Sequence, residues 1–173
     1  DIVLGQGDLL VDLGQVSHTD DRLLYLHLQP AVCLGRRGPL LVELQALVAS
    51  TTLPQPRRSA QGVEHGRLSL LLAVLERRAG VILTKHDVFT SVVGGVKLND
   101  PGADLAIALA TVSAALDEPL SGELVVCGEI GLGGELRQAA QTKRRLQEAA
   151  RLGFTRAIVP SSAPNDIEGM RVE

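Results

Sequence analysis

Aromatic residues are nearly absent from this sequence: one tyrosine, Tyr25, two phenylalanines, Phe89 and Phe154, and no tryptophan. Proteins that hold single-stranded nucleic acid without sequence preference stack bases on aromatic faces. Any nucleic-acid contact made by this chain therefore falls mostly on phosphates. Cysteine is almost as scarce. Cys33 and Cys127 are too few and too far apart for a zinc quartet or a disulfide framework. Both sit among apolar residues, the pattern of buried or half-buried free thiols in a reducing cytosol. No apolar run reaches the roughly 18 residues of a spanning helix, so no membrane is expected. The opening DIVLGQGDLL carries neither a basic nor an apolar leader region, so no secretory signal is expected, and it lacks an initiator methionine, as a fragment of a longer protein would.

Signals for chemistry are missing too. The four histidines, His18, His27, His65 and His86, show no metal-ligand spacing. The glycines of GEIGLGGEL give G-x-G at 131 and 133, but position 136 is Leu and no G-K-[ST] follows, so the stretch reads as a hairpin turn and not a phosphate loop. Ser113 and Ser121 lie away from the start of the helix that follows Asp100, and Cys127 is embedded in an apolar strand, so no nucleophile stands beside a base.

What remains is a globular composition, 45% apolar and 21% charged over 173 residues, enough for one domain with its own core. The net charge of -3 argues against a dedicated nucleic-acid module, which is usually basic. Arginines nevertheless cluster in pairs at 36–37, 57–58, 77–78 and 144–145.

Periodicity predicts mixed elements. LLYLHLQ alternates as a strand, and RGPLLVELQALVA alternates better, with Leu40, Val42, Leu44, Ala46 and Val48 on one side. STTLPQPRRSAQG reads as a loop. RLSLLLAVLERRAG has helical spacing and ends in Arg77, Arg78 and Gly80. VFTSVVGGVKL is a strand whose Gly94-Gly95 suggests a bulge or a close backbone approach. Asn99 or Asp100 caps a helix with Pro101 in its first turn, and Leu105, Ala108, Leu109, Val112 and Leu116 continue it. GELVVCGEIGLGGELR reads as strand, turn, strand. TKRRLQEAARLG is a further helix and TRAIVP a short strand. Strands and helices without strict alternation favour α+β.

From about Arg37 the pieces GPLLVELQALVA, PRRSAQGVEHGRLSLLLAVLERRAGV, VVGGVKLNDPGADLAIALA and GEIGLGGELRQAAQTKRRLQEAARLGFTRAIVP run in the order of a known family. The chain resembles the C-terminal Lon-protease-like domain of the RadA (Sms) family of bacterial DNA repair proteins; residues 1–36 match it poorly, and 37–173 form the domain. The resemblance implies an α+β fold of the ribosomal protein S5 domain 2-like type, with mixed sheets and packed helices. True Lon proteases use a Ser-Lys dyad whose Ser opens a helix in a P-S-A-G turn. Here the Ser position corresponds to Gly102 and the Lys position to Lys143, so the nucleophile is absent and acyl transfer by that route is closed.

The resemblance further implies a non-catalytic scaffold and DNA-binding domain of a DNA-dependent ATPase or helicase in recombinational repair and branch migration. Its partners would be single-stranded or branched DNA, the recombinase RecA, and further copies of itself in a hexameric ring. ATP, magnesium and zinc belong to regions ahead of this domain, with no cofactor in this chain, and the setting is cytoplasmic. For phosphate contacts the candidates are Lys97, Arg57, Arg58, Lys143, Arg144 and Arg145. A pure oligomerisation module and an active peptidase are the rival readings.

Overall fold

The computed structural model describes residues 2–4, 9–11, 27–35 and 38–173. The alternating strand at LLYL and the arginine pair 36–37 lie outside them. An N-terminal hairpin pairs β1 (Ile2–Leu4) with β2 (Leu9–Val11). The body is a seven-stranded mixed sheet. Its strands are β3 (His27–Gly35), β4 (Gly38–Ser50), β5 (Arg58–Gln61), β6 (His86–Val92), β7 (Leu124–Val126), β10 (Arg156–Ile158) and β11 (Arg171–Val172), in the order β11-β10-β7-β3-β4-β6-β5. β3 to β4 and β4 to β6 are antiparallel; the remaining neighbours are parallel. A small hairpin, β8 (Glu129–Ile130) with β9 (Leu136–Arg137), stands apart from the sheet. The helices are α1 (His65–Val74), α2 (Asp104–Leu116) and α3 (Thr142–Arg151). The α+β class is therefore as read, and no helix among the described residues is long and apolar enough to cross a membrane.

The pleat sorts side chains between two cores. Ala31, Cys33, Val42 and Leu44 join Leu68, Leu71, Leu105 and Leu109 on the face covered by α1 and α2. Val32, Val125 and Cys127 point the other way, against Leu146 and Ala149 of α3. In α2 every residue from Asp104 to Ser113 is buried, which its alanine-rich sequence permits: small side chains let the backbone approach neighbours on several sides. Leu116, counted with the apolar stripe, is exposed.

Two expectations change. The proline-rich stretch read as a loop contains β5, an edge strand parallel to β6; edges tolerate the prolines that precede it. Gly94 and Gly95 both take positive φ in open space, so they form the turn that ends β6 and not a bulge within it. α1 ends at Gly80 as its spacing predicts: a π-helical turn, Leu75–Ala79, closes it, and Gly80 caps it in the left-handed region. β3, which precedes the point where the family resemblance begins, is an interior strand between β7 and β4.

Candidate functional site

The start of α2 is built from its sequence, N-D-P-G-A-D. Asp100 has extended backbone and accepts the Gly102 N–H at 3.1 Å, Pro101 occupies the first position, and Pro101–Ala103 make one 3₁₀ turn. The cap expected at Asp100 is present. The turn is held from behind by main chain: Gly128 N–H donates to the Gly102 carbonyl at 2.9 Å, and Leu105 N–H donates to the Gly128 carbonyl at 3.0 Å. Asp104, one turn on, is buried. It accepts Arg67 Nε at 2.7 Å and Ile130 N–H at 3.1 Å, and pairs with Arg67 Nη2. α1 and the β8–β9 hairpin are thereby tied to the same turn.

The space beside Gly102 belongs to Arg145. This side chain, on the first turn of α3, is 0% exposed. Its Nη1 donates to the Val32 carbonyl at 2.7 Å and to Asp100 Oδ2 at 2.5 Å, Nη2 to Asp100 Oδ1 at 3.1 Å, and Nε to the Ala140 carbonyl at 2.8 Å. A Cβ built on Gly102 would lie 2.8 Å from Arg145 Nη1, 3.0 Å from Ala139 Cβ and 3.2 Å from Arg145 Cζ. The position expected to carry a nucleophile is thus occupied by a guanidinium. Lys143, expected to match the lysine of a dyad, pairs with Asp166 at 2.7 Å and lines a shallow surface groove with Gln147, Ala150 and Ile167. The two thiols feel the buried charges. Burial pushes Cys33 up to about 12, Asp100 adding to it, and pushes Cys127 up to about 11 against the pull of Arg145.

Arg145, a candidate phosphate contact by sequence, is not one: its guanidinium is 0% exposed, and four of its N–H groups are bonded within the fold. T-K-R-R looks like a solvated basic turn, but Thr142, Arg145, Leu146 and Ala149 share the i, i+3, i+4, i+7 stripe that α3 buries. That spacing was the available signal.

The other cations do not form one patch. Arg57 lies over the Phe89 ring at 5.9 Å, and its N–H and guanidinium hold Asp87 below the usual carboxylate range. Arg58 clasps the carbonyls of His86 and Leu83. Both stand at the start of β6, whereas Lys97 follows its end, across seven residues of strand. Arg144 is exposed, with a long 3.5 Å contact to Gln141. Lys97 is exposed and, among the described residues, enters no ion pair.

Comparison with known proteins gives two results. A family model described as subunit ChlI of Mg-chelatase matches residues 91–163. Full-length relatives align over most of the chain. The DNA repair protein RadA of Escherichia coli is 50% identical over 139 residues, 78% of this chain and 30% of the relative. RadA of Salmonella typhimurium is 52% identical over 124 residues, 72% of this chain and 27% of the relative. RadA of Synechocystis is 51% identical over 128 residues, 74% of this chain and 25% of the relative. The chain thus spans less than a third of the length of the relatives it matches.

Proposed function

Because the chain is homologous to a C-terminal fragment of the RadA DNA repair proteins, we propose that it is the non-catalytic scaffold and DNA-contacting domain of a RadA-type, DNA-dependent ATPase. In that reading the missing regions of the parent bind ATP, magnesium and zinc and drive movement along DNA in recombinational repair and branch migration. The parent is cytoplasmic and works with single-stranded or branched DNA and with RecA. This domain contributes to a ring, since head-to-tail contacts close into rings, six copies being the expected number. The observation that carries the repair role is identity near 50% over about three quarters of the chain. What supports the non-catalytic reading is the guanidinium of Arg145 in the place of a nucleophile, with Lys143 turned to Asp166.

The DNA contact rests on the cations that remain available: Lys97 and Arg144 first, then Arg57, whose guanidinium also serves Asp87. Arg58 and Lys143 are already engaged within the fold. Mobility shifts with the full-length parent test the proposal. Lys97→Ala should weaken binding about equally for unrelated sequences, because phosphate contacts carry no base information. It should also make the salt dependence shallower by about one unit. Unchanged affinity and slope in Lys97→Ala and Arg144→Ala would leave the rival reading, a ring-forming module without DNA contact. That reading has its own support in the two candidate cations consumed by internal bonds, Arg58 and Arg145. Reaction with a serine-directed fluorophosphonate, together with proteolysis, would refute the non-catalytic assignment.

A further inference from the structure

The strand order places a crevice at Arg145. β7 and β3 run parallel, and their register joins a single pair, Ala31 with Val126. β7 ends there, while β3 continues through Val32 to Gly35 beside β4 alone. α2 lies on one face of this junction and α3 on the other. In open sheets with helices on both faces, the gap beyond the carboxyl ends of diverging strands is where ligands bind. Here three acceptors converge on that gap: the Asp100 carboxylate from the start of α2, the Val32 carbonyl one residue past the last β3–β7 pair, and the Ala140 carbonyl ahead of α3. Two of the three are main chain, fixed by the fold and not by side-chain choice. All are satisfied by one planar cation, whose fork matches the carboxylate in a bidentate pair.

We infer that this crevice is a guanidinium-binding site occupied in cis by Arg145: the chain closes its own ligand position with an internal ligand. The inference rests on the geometry of the crevice and holds whether or not the domain meets DNA. Its consequence is specific. Truncating Arg145 to Ala leaves Cβ in place and removes Cγ, Cδ and the guanidinium, the heavy atoms of N-ethylguanidinium. The emptied crevice should therefore become a receptor for that ion, and a weaker one for guanidinium itself, which lacks the two carbons.

The experiment is the melting temperature of the full chain carrying Arg145→Ala, followed by far-ultraviolet circular dichroism while N-ethylguanidinium is titrated through the millimolar range. A ligand that binds only the folded state raises the midpoint. The expected result is a lowered midpoint in the variant, recovered saturably by N-ethylguanidinium. N-ethylurea, of similar shape but uncharged, should not recover it. Wild type should not respond. Arg145→Ala combined with Asp100→Asn, which keeps a cap acceptor but no charge, should lose the recovery. A variant as stable as wild type, an equal response in wild type, or equal recovery by N-ethylurea would each overturn the inference. Should Arg145→Ala not fold unaided, the same titration is read on refolding from urea. Native signal regained with N-ethylguanidinium and not with N-ethylurea supports the site, and no recovery with either overturns it.

Discussion

Placing a serine at position 102 is the sharpest test of how the α2 turn is packed. The new Cβ would stand 2.8 Å from Arg145 Nη1 and 3.0 Å from Ala139 Cβ. Two effects compete. Gly102 does not use the left-handed backbone, so replacing a glycine there restricts the unfolded chain and by itself stabilises by about 0.4–1 kcal/mol. Against this stands the clash. Ordinary overpacking costs about 1–3 kcal/mol. Here the crowded atom is the one that bonds both Val32 and Asp100, so yielding means loosening a buried ion pair, and breaking such a pair costs about 3–5 kcal/mol. The clash wins. With a urea slope of about 2 kcal/mol/M, a loss of about 3–5 kcal/mol moves the midpoint down by roughly 1.5–2.5 M. Circular dichroism is the right probe, because a chain with one tyrosine and no tryptophan gives little fluorescence change. Gly102→Ala should lose nearly as much, since Cβ and not the hydroxyl makes the collision. An unchanged midpoint in Gly102→Ser, or a serine that labels with fluorophosphonate and cleaves protein, would refute the reasoning.

Other outcomes follow from the same structure. Leu71 and Leu109 are 1% and 2% exposed, so either residue changed to Ala should cost about 2–5 kcal/mol in urea unfolding; an unmoved midpoint would contradict their placement. Cys33 and Cys127, buried and with thiols pushed up to about 12 and about 11, should resist a disulfide reagent at neutral pH in the native chain and both react in denaturant; labelling without denaturant would show that the cores open. Asp87 is held below the usual range by the Arg57 N–H and guanidinium. Its contribution is therefore present above the unfolded carboxylate value of about 3.9 and is lost as pH falls through the lowered folded value. Asp87→Asn should flatten the acid limb of the midpoint-against-pH curve, and an unchanged limb would remove Asp87 from that account.

The elements most legible in the sequence were those with long, clean periodicity. α1, α2, α3 and β4 lie where their spacing places them, and Asp100 with Pro101 marked the start of α2. β5 was hidden because Arg58–Gln61 shows no apolar alternation. An edge strand buries little, and Arg58 and Ala60 are only partly covered. β11 at Arg171–Val172 was missed for a similar reason: two residues carry no period. At the site, the glycine at 102 is plain in the sequence, but what packs beside it is not. Within T-K-R-R alone the two arginines look alike, and only the stripe shared with Leu146 and Ala149 marks Arg145 as the one turned inward. That is settled by the depth of the α3 stripe and by acceptors that lie 45 residues away at Asp100 and 113 away at Val32.

A buried ion pair is weak evidence for stability, since apolar residues of similar volume can often replace both partners without loss. The pair at the start of α2 is different in one respect. Asp100 could be neutralised by substitution, but the Val32 carbonyl cannot, and an apolar side chain at 145 would take this donor from a buried acceptor, at about 1–3 kcal/mol. Lysine offers three donors on one atom and could not span acceptors set around a planar fork. Arginine is the side chain whose donors reach all three groups at once. The space beside Gly102 is therefore filled by a side chain that holds α3 against the start of α2, and a serine at 102 would need a second change at 145 to find room.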